Sequence, residues 1–179
     1  NVNFEFKSEY KNYFKNTEEI RYDKNLLTGC VNFFDSTFKK VSMKSSDMIC
    51  EDSINIKNSF GSIENIEINN SLFDALDLDF SDISINNLLV NDAKNDCIDF
   101  SFGNYIISKA NLKNCGDKGV SVGEKSKFNL QNAKIFNSKI GVASKDDAIT
   151  KINTILIEDI NICLAAYNKK QEFGPSYIS

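Results

Sequence analysis

Asp74-Ala-Leu-Asp-Leu78, Asp96-Cys-Ile-Asp-Phe100 and Lys118-Gly-Val-Ser-Val122 align beneath one another at a constant spacing of 22 residues. Asp52-Ser-Ile-Asn-Ile56 precedes them and Ile140-Gly-Val-Ala-Ser144 follows at the same interval. Their central residues, Ile54, Leu76, Ile98, Val120 and Val142, form one apolar column that Leu164 continues, with Val31 lying 23 residues before Ile54. Apolar and polar residues alternate within each segment, which is the pattern of a strand with one buried face. Helical spacing does not fit.

Two further columns carry the same repeat. One runs Ile66, Leu88, Ala110, Ala133, Ile155 and the other Ile68, Val90, Leu112, Ile135, Ile157, with steps of 22, 22, 23 and 22, so one rung holds a single extra residue. Each repeat therefore contains at least two short strands. Asn70, Asp92, Asn114, Asn137 and Asp159 recur just beyond the third column. Asn and Asp tolerate the left-handed conformation that a sharp corner needs, and stacked amides can form ladders between rungs. Cys30, Ser53, Ala75, Cys97, Gly119, Gly141 and Cys163 form a column of small residues, which suits a tight corner.

Such a circuit is an all-β, right-handed parallel β-helix, a solenoid with rungs of 22 residues. A leucine-rich repeat has an overlapping period, but it needs a contrasting, often helical, return limb, and here both limbs alternate. The whole chain, 1–179, reads as one domain. Val2-Asn-Phe-Glu-Phe6 looks like a strand of an earlier rung, residues 7–25 look like an insertion or partial cap, and regular rungs occupy 28–179. The chain begins at Asn1, stops abruptly after Tyr177-Ile178-Ser179 and lacks an evident C-terminal cap, as a fragment of a longer protein with flanking domains would.

Composition removes several function classes. The net charge is −4 and only one arginine, Arg21, is present, which argues against a nucleic-acid surface built on clustered basic residues. With no histidine, Ser-His-Asp and Cys-His nucleophiles and His-ligated zinc are excluded. No stretch is long and apolar enough for a spanning helix. Gly116-Asp-Lys-Gly119 is not a phosphate loop, because no helix opening with Lys-Ser or Lys-Thr follows. Cys30, Cys97 and Cys163 stand about 14 Å apart along the stack, beyond disulfide reach. Cys50 and Cys115 lie off that column, so the expectation is small buried fillers without intramolecular disulfides.

Leu27-Thr-Gly-Cys-Val-Asn-Phe-Phe34, Asn95-Asp-Cys-Ile-Asp-Phe100, Gly116-Asp-Lys-Gly-Val-Ser-Val-Gly-Glu124, Ile140-Gly-Val-Ala-Ser-Lys-Asp146 and Lys169-Lys-Gln-Glu-Phe-Gly174 are phrases of a known kind. Together, over residues 26–178, they resemble the pectate-lyase-like β-helix repeats of large bacterial surface proteins, of the type found beside spore-coat-H-like kinase domains. The resemblance implies an extracellular or cell-surface location. It implies function weakly, since β-helices carry lyases, hydrolases, epimerases, adhesins and spacers alike.

Alternation places Asp77, Asp79, Asp99, Ser101 and Ser121 outward on one sheet, with Asp77 and Asp99 on adjacent rungs about 5 Å apart. Asp52, Asp74 and Asp96 form a parallel acidic row, and Glu124, Lys145, Asp146, Tyr167 and Lys169 lie further along the face. The chemical reading is a polysaccharide groove with Asp77 and Asp99 as acid and base. Binding would come from Asp79, Asp96, Ser121, Glu124, Lys145 and Tyr167, and Asp77, Asp79 and Asp99 could alternatively hold calcium. The plain alternative is a solvated charged face that keeps the solenoid soluble. Phe80, Phe100, Phe102 and Phe128 read as core rather than as a sugar-stacking platform. Uniform rungs from 74 to 164 leave no room for large groove walls, which favours a non-catalytic module, a spacer or carbohydrate-binding surface, over a polysaccharide-active enzyme.

Overall fold

The computed structural model describes residues 2–8 and 27–179 and is a parallel β-solenoid with no helix among them. In chain order the strands are β1 (Val2–Lys7), β2 (Gly29–Phe34), β3 (Thr37–Met48), β4 (Asp52–Lys57), β5 (Phe60–Ser71), β6 (Asp74–Asp79), β7 (Asp82–Ala93), β8 (Ile98–Ser101), β9 (Asn104–Gly123), β10 (Lys127–Lys145), β11 (Ile149–Tyr167) and β12 (Tyr177–Ile178). The segments expected at 7–25 fall mostly outside the described residues. Val2–Lys7 is a strand of an earlier rung, since β1 pairs in parallel with β3 and sets Val2 against Val41.

Every column read from the repeat is a ladder. Val31 pairs with Ile54, Ile54 with Leu76, Leu76 with Ile98, Ile98 with Val120, Val120 with Val142 and Val142 with Leu164. Ile66, Leu88, Ala110, Ala133 and Ile155 stack likewise, as do Ile68, Val90, Leu112, Ile135 and Ile157. Ile54, Leu76, Ile98, Val120 and Val142 are fully buried, and each large one removed from water contributes about 1.5–3 kcal/mol. The extra residue falls at the corner after β9, where Glu124 and Lys125 both turn left-handed, and a register shift between Ser138 and Ile140 absorbs it.

Asn70, Asp92, Asn114, Asn137 and Asp159 all adopt positive φ, between 55° and 64°, so this column does make the corner. A second left-handed corner recurs at Asp35, Asn58, Phe80, Phe102 and Asp146. Two phenylalanines occupy it, where a bulky side chain is strained. Phe80 is 52% exposed and Phe102 half-buried, so neither belongs to the core as expected, whereas Phe100 and Phe128 do. The Phe80 and Phe102 rings stack face to face with centroids 4.7 Å apart, and Lys57 Nζ sits over Phe80.

The cysteines correct the sequence reading. Cys97 and Cys115 form a buried disulfide, Cys30 and Cys50 form another, and Cys163 is free and exposed. Measuring along the stack was the error, because the partners face each other across one rung. The equivalent positions on neighbouring rungs are Ser53 and Ser71, whose hydroxyls lie 2.6 Å apart, and the buried pair Ala75 and Ala93. Closing a loop with a sequence separation of 18 is worth about 3 kcal/mol through the unfolded chain.

Candidate functional site

The outward face of the sheet made by β4, β6, β8 and the end of β9 carries three polar rows. Asp52, Asp74 and Asp96 begin the first row. Asp74 Oδ1 accepts the Asp96 N–H at 2.7 Å, and Asp96 Oδ1 accepts the Lys118 N–H at 2.9 Å. Thr28 Oγ1 donates to Asp52 Oδ2, and Lys118 Nζ bridges Asp96 and Asp117. Asp74 and Asp96 thus tie one rung's backbone to the next, which is a structural task.

Asn55, Asp77, Asp99 and Ser121 form the middle row, in register on successive rungs. Asn55 Nδ2 donates to Asp77 Oδ2 at 2.8 Å. Asn55 Oδ1, Asp99 Oδ1 and Ser121 Oγ are buried and have no hydrogen-bond partner. An unmet buried polar atom costs about 1–3 kcal/mol. Three in one row is the main anomaly of the molecule.

Lys57, Asp79, Ser101, Gly123, Lys145 and Tyr167 make the third row. Lys145 folds across Gly123, its Cε within ordinary contact distance, 3.6 Å, of where a β-carbon would stand. Lys145 is buried, and its positive charge acts on Asp99. Glu124, buried at the corner, accepts from Ser101 Oγ at 2.7 Å and from Lys170 Nζ. Tyr167 is exposed at the last rung, away from the acidic rungs.

Burial and mutual repulsion raise the proton affinity of the whole acidic strip. Asp77 is pushed well above the usual carboxylate range, first by burial and then by the charges of Asp52, Asp79, Asp99 and Asp74. Burial raises Asp99 as well, but Lys145 opposes it. Asp52 is pushed up to about 8, Asp74 to about 7, and Asp79 and Asp96 to about 6, burial being the largest cause throughout. Asp77 and Asp99 keep some accessible surface. The crowd of protein atoms and charges around them, rather than sealing from water, drives their shifts.

One groove wall exists that the uniform rungs did not announce. Residues 168–176, between β11 and β12, fold back along the corner beside the third row. The Lys169 and Lys170 N–H groups donate to Asp146 Oδ1 at 2.7 and 2.8 Å, Lys170 Nζ reaches Glu124, and Phe173 lies 6.2 Å from Phe102. Sequence reasoning placed Lys169 and Asp146 on this face but not the loop they anchor. The signal was the longer interval between Tyr167 and Tyr177.

The structure thus brings Asp77, Asp79, Asp99 and Ser121 together, sets Asp96 and Glu124 into pairings at the margins, and leaves Tyr167 apart. For calcium the fit is poor, because among the described residues no three acidic, cysteine or histidine side chains gather so that they could hold a metal ion. A depression of about 430 Å³ lined by Asn111, Lys113, Lys134, Phe136, Leu156 and Glu158 lies on the other sheet, away from the carboxylates. No family model, curated protein or solved structure matches the chain. The parallel solenoid therefore stands on its own geometry.

Proposed function

We propose that the chain is a non-catalytic solenoid module that binds a polysaccharide along the row Asn55, Asp77, Asp99 and Ser121. The observation that carries this reading is the row's unmet capacity. Asn55 Oδ1 and Asp99 Oδ1 lack a donor in good hydrogen-bond geometry, and the Ser121 hydroxyl beside Asp99, near enough to lower its proton affinity, is not aligned to satisfy it. A hydroxyl-rich chain supplies donors. The rise of a rung, about 4.8 Å, is close to the length of one pyranose unit, so a glycan laid along the axis offers each rung an equivalent sugar.

Two further points support a surface or secreted setting. The two disulfides suit an oxidising compartment, and the quoted phrases resemble pectate-lyase-like repeats of bacterial surface proteins. Affinity electrophoresis through gels containing different polysaccharides tests the reading. Retardation by at least one polysaccharide, lost on replacing Asp77 and Asp99 with Asn, is expected. Equal mobility in every gel sinks it.

One observation favours hydrolysis as a second reading. Asp77 is surrounded by carboxylates while Asp99 faces Lys145, so Asp77 keeps its proton longer and could serve as acid to an ionised Asp99. Release of new reducing ends from a bound polysaccharide would establish that reading.

A further inference from the structure

We infer that the depression on the outer face of β9, β10 and β11 is a second binding site, independent of the acidic strip, and that it takes the acidic sugar at the end of a glycan. Its volume of about 430 Å³ is within the range of small-ligand sites. Two rows of outward side chains line it. Asn111, Lys134 and Leu156 stand on successive rungs in one row, and Lys113, Phe136 and Glu158 in the other. On earlier rungs the same rows hold Glu67 and Leu89, and Asn69 and Asn91. There the Asn69 amide donates to Glu67 and the Asn91 amide to Asn69. That ladder ends at Lys113, and a different set of groups begins.

Charge is the first observation. Lys44, Lys118, Lys139 and Lys170 each reach a carboxylate, whereas among the described residues neither Lys113 nor Lys134 forms an ion pair. The two stand diagonally on adjacent rungs, about 4.8 Å apart along the axis. Their flexible stems let both ammonium groups meet one anionic group between them. The second observation is apolar. Phe136 is 43% and Leu156 47% exposed, and each lies directly beyond a lysine of its own row. Glu158 follows Phe136. The depression thus runs from cations over an apolar floor to a carboxylate. An acidic sugar answers the three parts in order, with its negative group, the C–H face of its ring and its hydroxyl donors. An inorganic anion leaves Phe136 and Leu156 in water, and a neutral sugar leaves both lysines unanswered. A polyanion laid along the axis runs onto Glu158 in one direction and Glu67 in the other, so the acid sits at a chain end.

NMR titrations with the methyl glycoside of N-acetylneuraminic acid, with methyl glucoside and with sodium sulfate test the inference. The acidic sugar should shift the amide signals of residues 111–114, 134–137 and 156–158. It should bind at least about tenfold more tightly than the neutral sugar. Lys113→Gln with Lys134→Gln should remove that preference, and Phe136→Ala should weaken the acidic sugar without changing the response to sulfate. All three side chains are exposed, so these variants keep the fold. Lys127→Gln with Lys151→Gln deletes as many charges from exposed positions outside the depression and should change nothing. Binding of methyl glucoside or sulfate as tight as that of the acidic sugar overturns the inference. So does an equal loss in the control variant, or the absence of shifts at the named residues. None of these outcomes bears on the strip, whose own test is migration through polysaccharide gels.

Discussion

The two outer faces of this solenoid obey the same register and reach opposite results. On the face of β5, β7 and β9, stacked amides satisfy one another: Asn91 donates to Asn69 Oδ1 at 2.9 Å, Asn87 to Asn65 Oδ1 at 3.1 Å and Asn86 to Glu64 at 2.8 Å. On the face of β4, β6 and β8, Asp77 stacks on Asp99, where two acceptors meet and no donor intervenes. An amide carries a donor and an acceptor, so vertical repetition completes it. A carboxylate carries acceptors alone, so repetition sets it against its own copy. Parallel stacking thus turns one face into a ladder and the other into an unmet demand for donors.

The largest expected effect is on pH dependence, and it would break the comparison if absent. The strip's carboxylates bind protons more tightly folded than unfolded. Their contribution to stability is therefore complete below the unfolded value near 3.8 and is lost as pH rises through about 6 to 8. Urea melts should show stability falling by about 4 kcal/mol or more between about pH 4 and pH 8. Next in size is the staple between the faces. Replacing Cys97 and Cys115 with Ser should cost about 3 kcal/mol, and the unfolded, unreduced parent should show one free thiol, that of Cys163.

Asp77→Asn converts the strip locally into the ladder of the other face. It should stabilise the protein by about 1–2 kcal/mol at about pH 8 and by nothing at about pH 4. Asn91→Ala is its mirror image, removing a ladder rung at a cost of about 1 kcal/mol at both pH values. Phe80→Asn with Phe102→Asn gives the smallest change. It loses a ring stack worth about 0.5–1.5 kcal/mol and relieves left-handed strain of similar size, so thermal melts should move little.

The 22-residue period made the columns, their register and their inward or outward facing legible, because alternation and stacking are set by local spacing. Asp77, Asp99 and Ser121 could be placed in one row for the same reason. The disulfides were not legible from the small column alone, since Cys97 meets Cys115 only where the chain closes its circuit. The recurrence of small pairs 18 apart, Ser53 with Ser71 and Ala75 with Ala93, was the signal that could have found Cys97–Cys115, whereas Cys30–Cys50, 20 apart, departs from it. Phe80 and Phe102 read as core because a corner shared with Asp35 and Asn58 shows no common residue type. The idle atoms of Asn55 and Ser121 depend on side-chain placement that no periodicity encodes.

Carboxyl-carbon NMR titration of Asp77 and Asp99 tests most directly whether vertical repetition has crowded these acids. Apparent midpoints above 3.8 for both, with that of Asp77 the higher and well above it, are expected. Independent titration of both near 3.8 would contradict the account, since carboxylates desolvated and crowded on adjacent rungs could not ionise so freely.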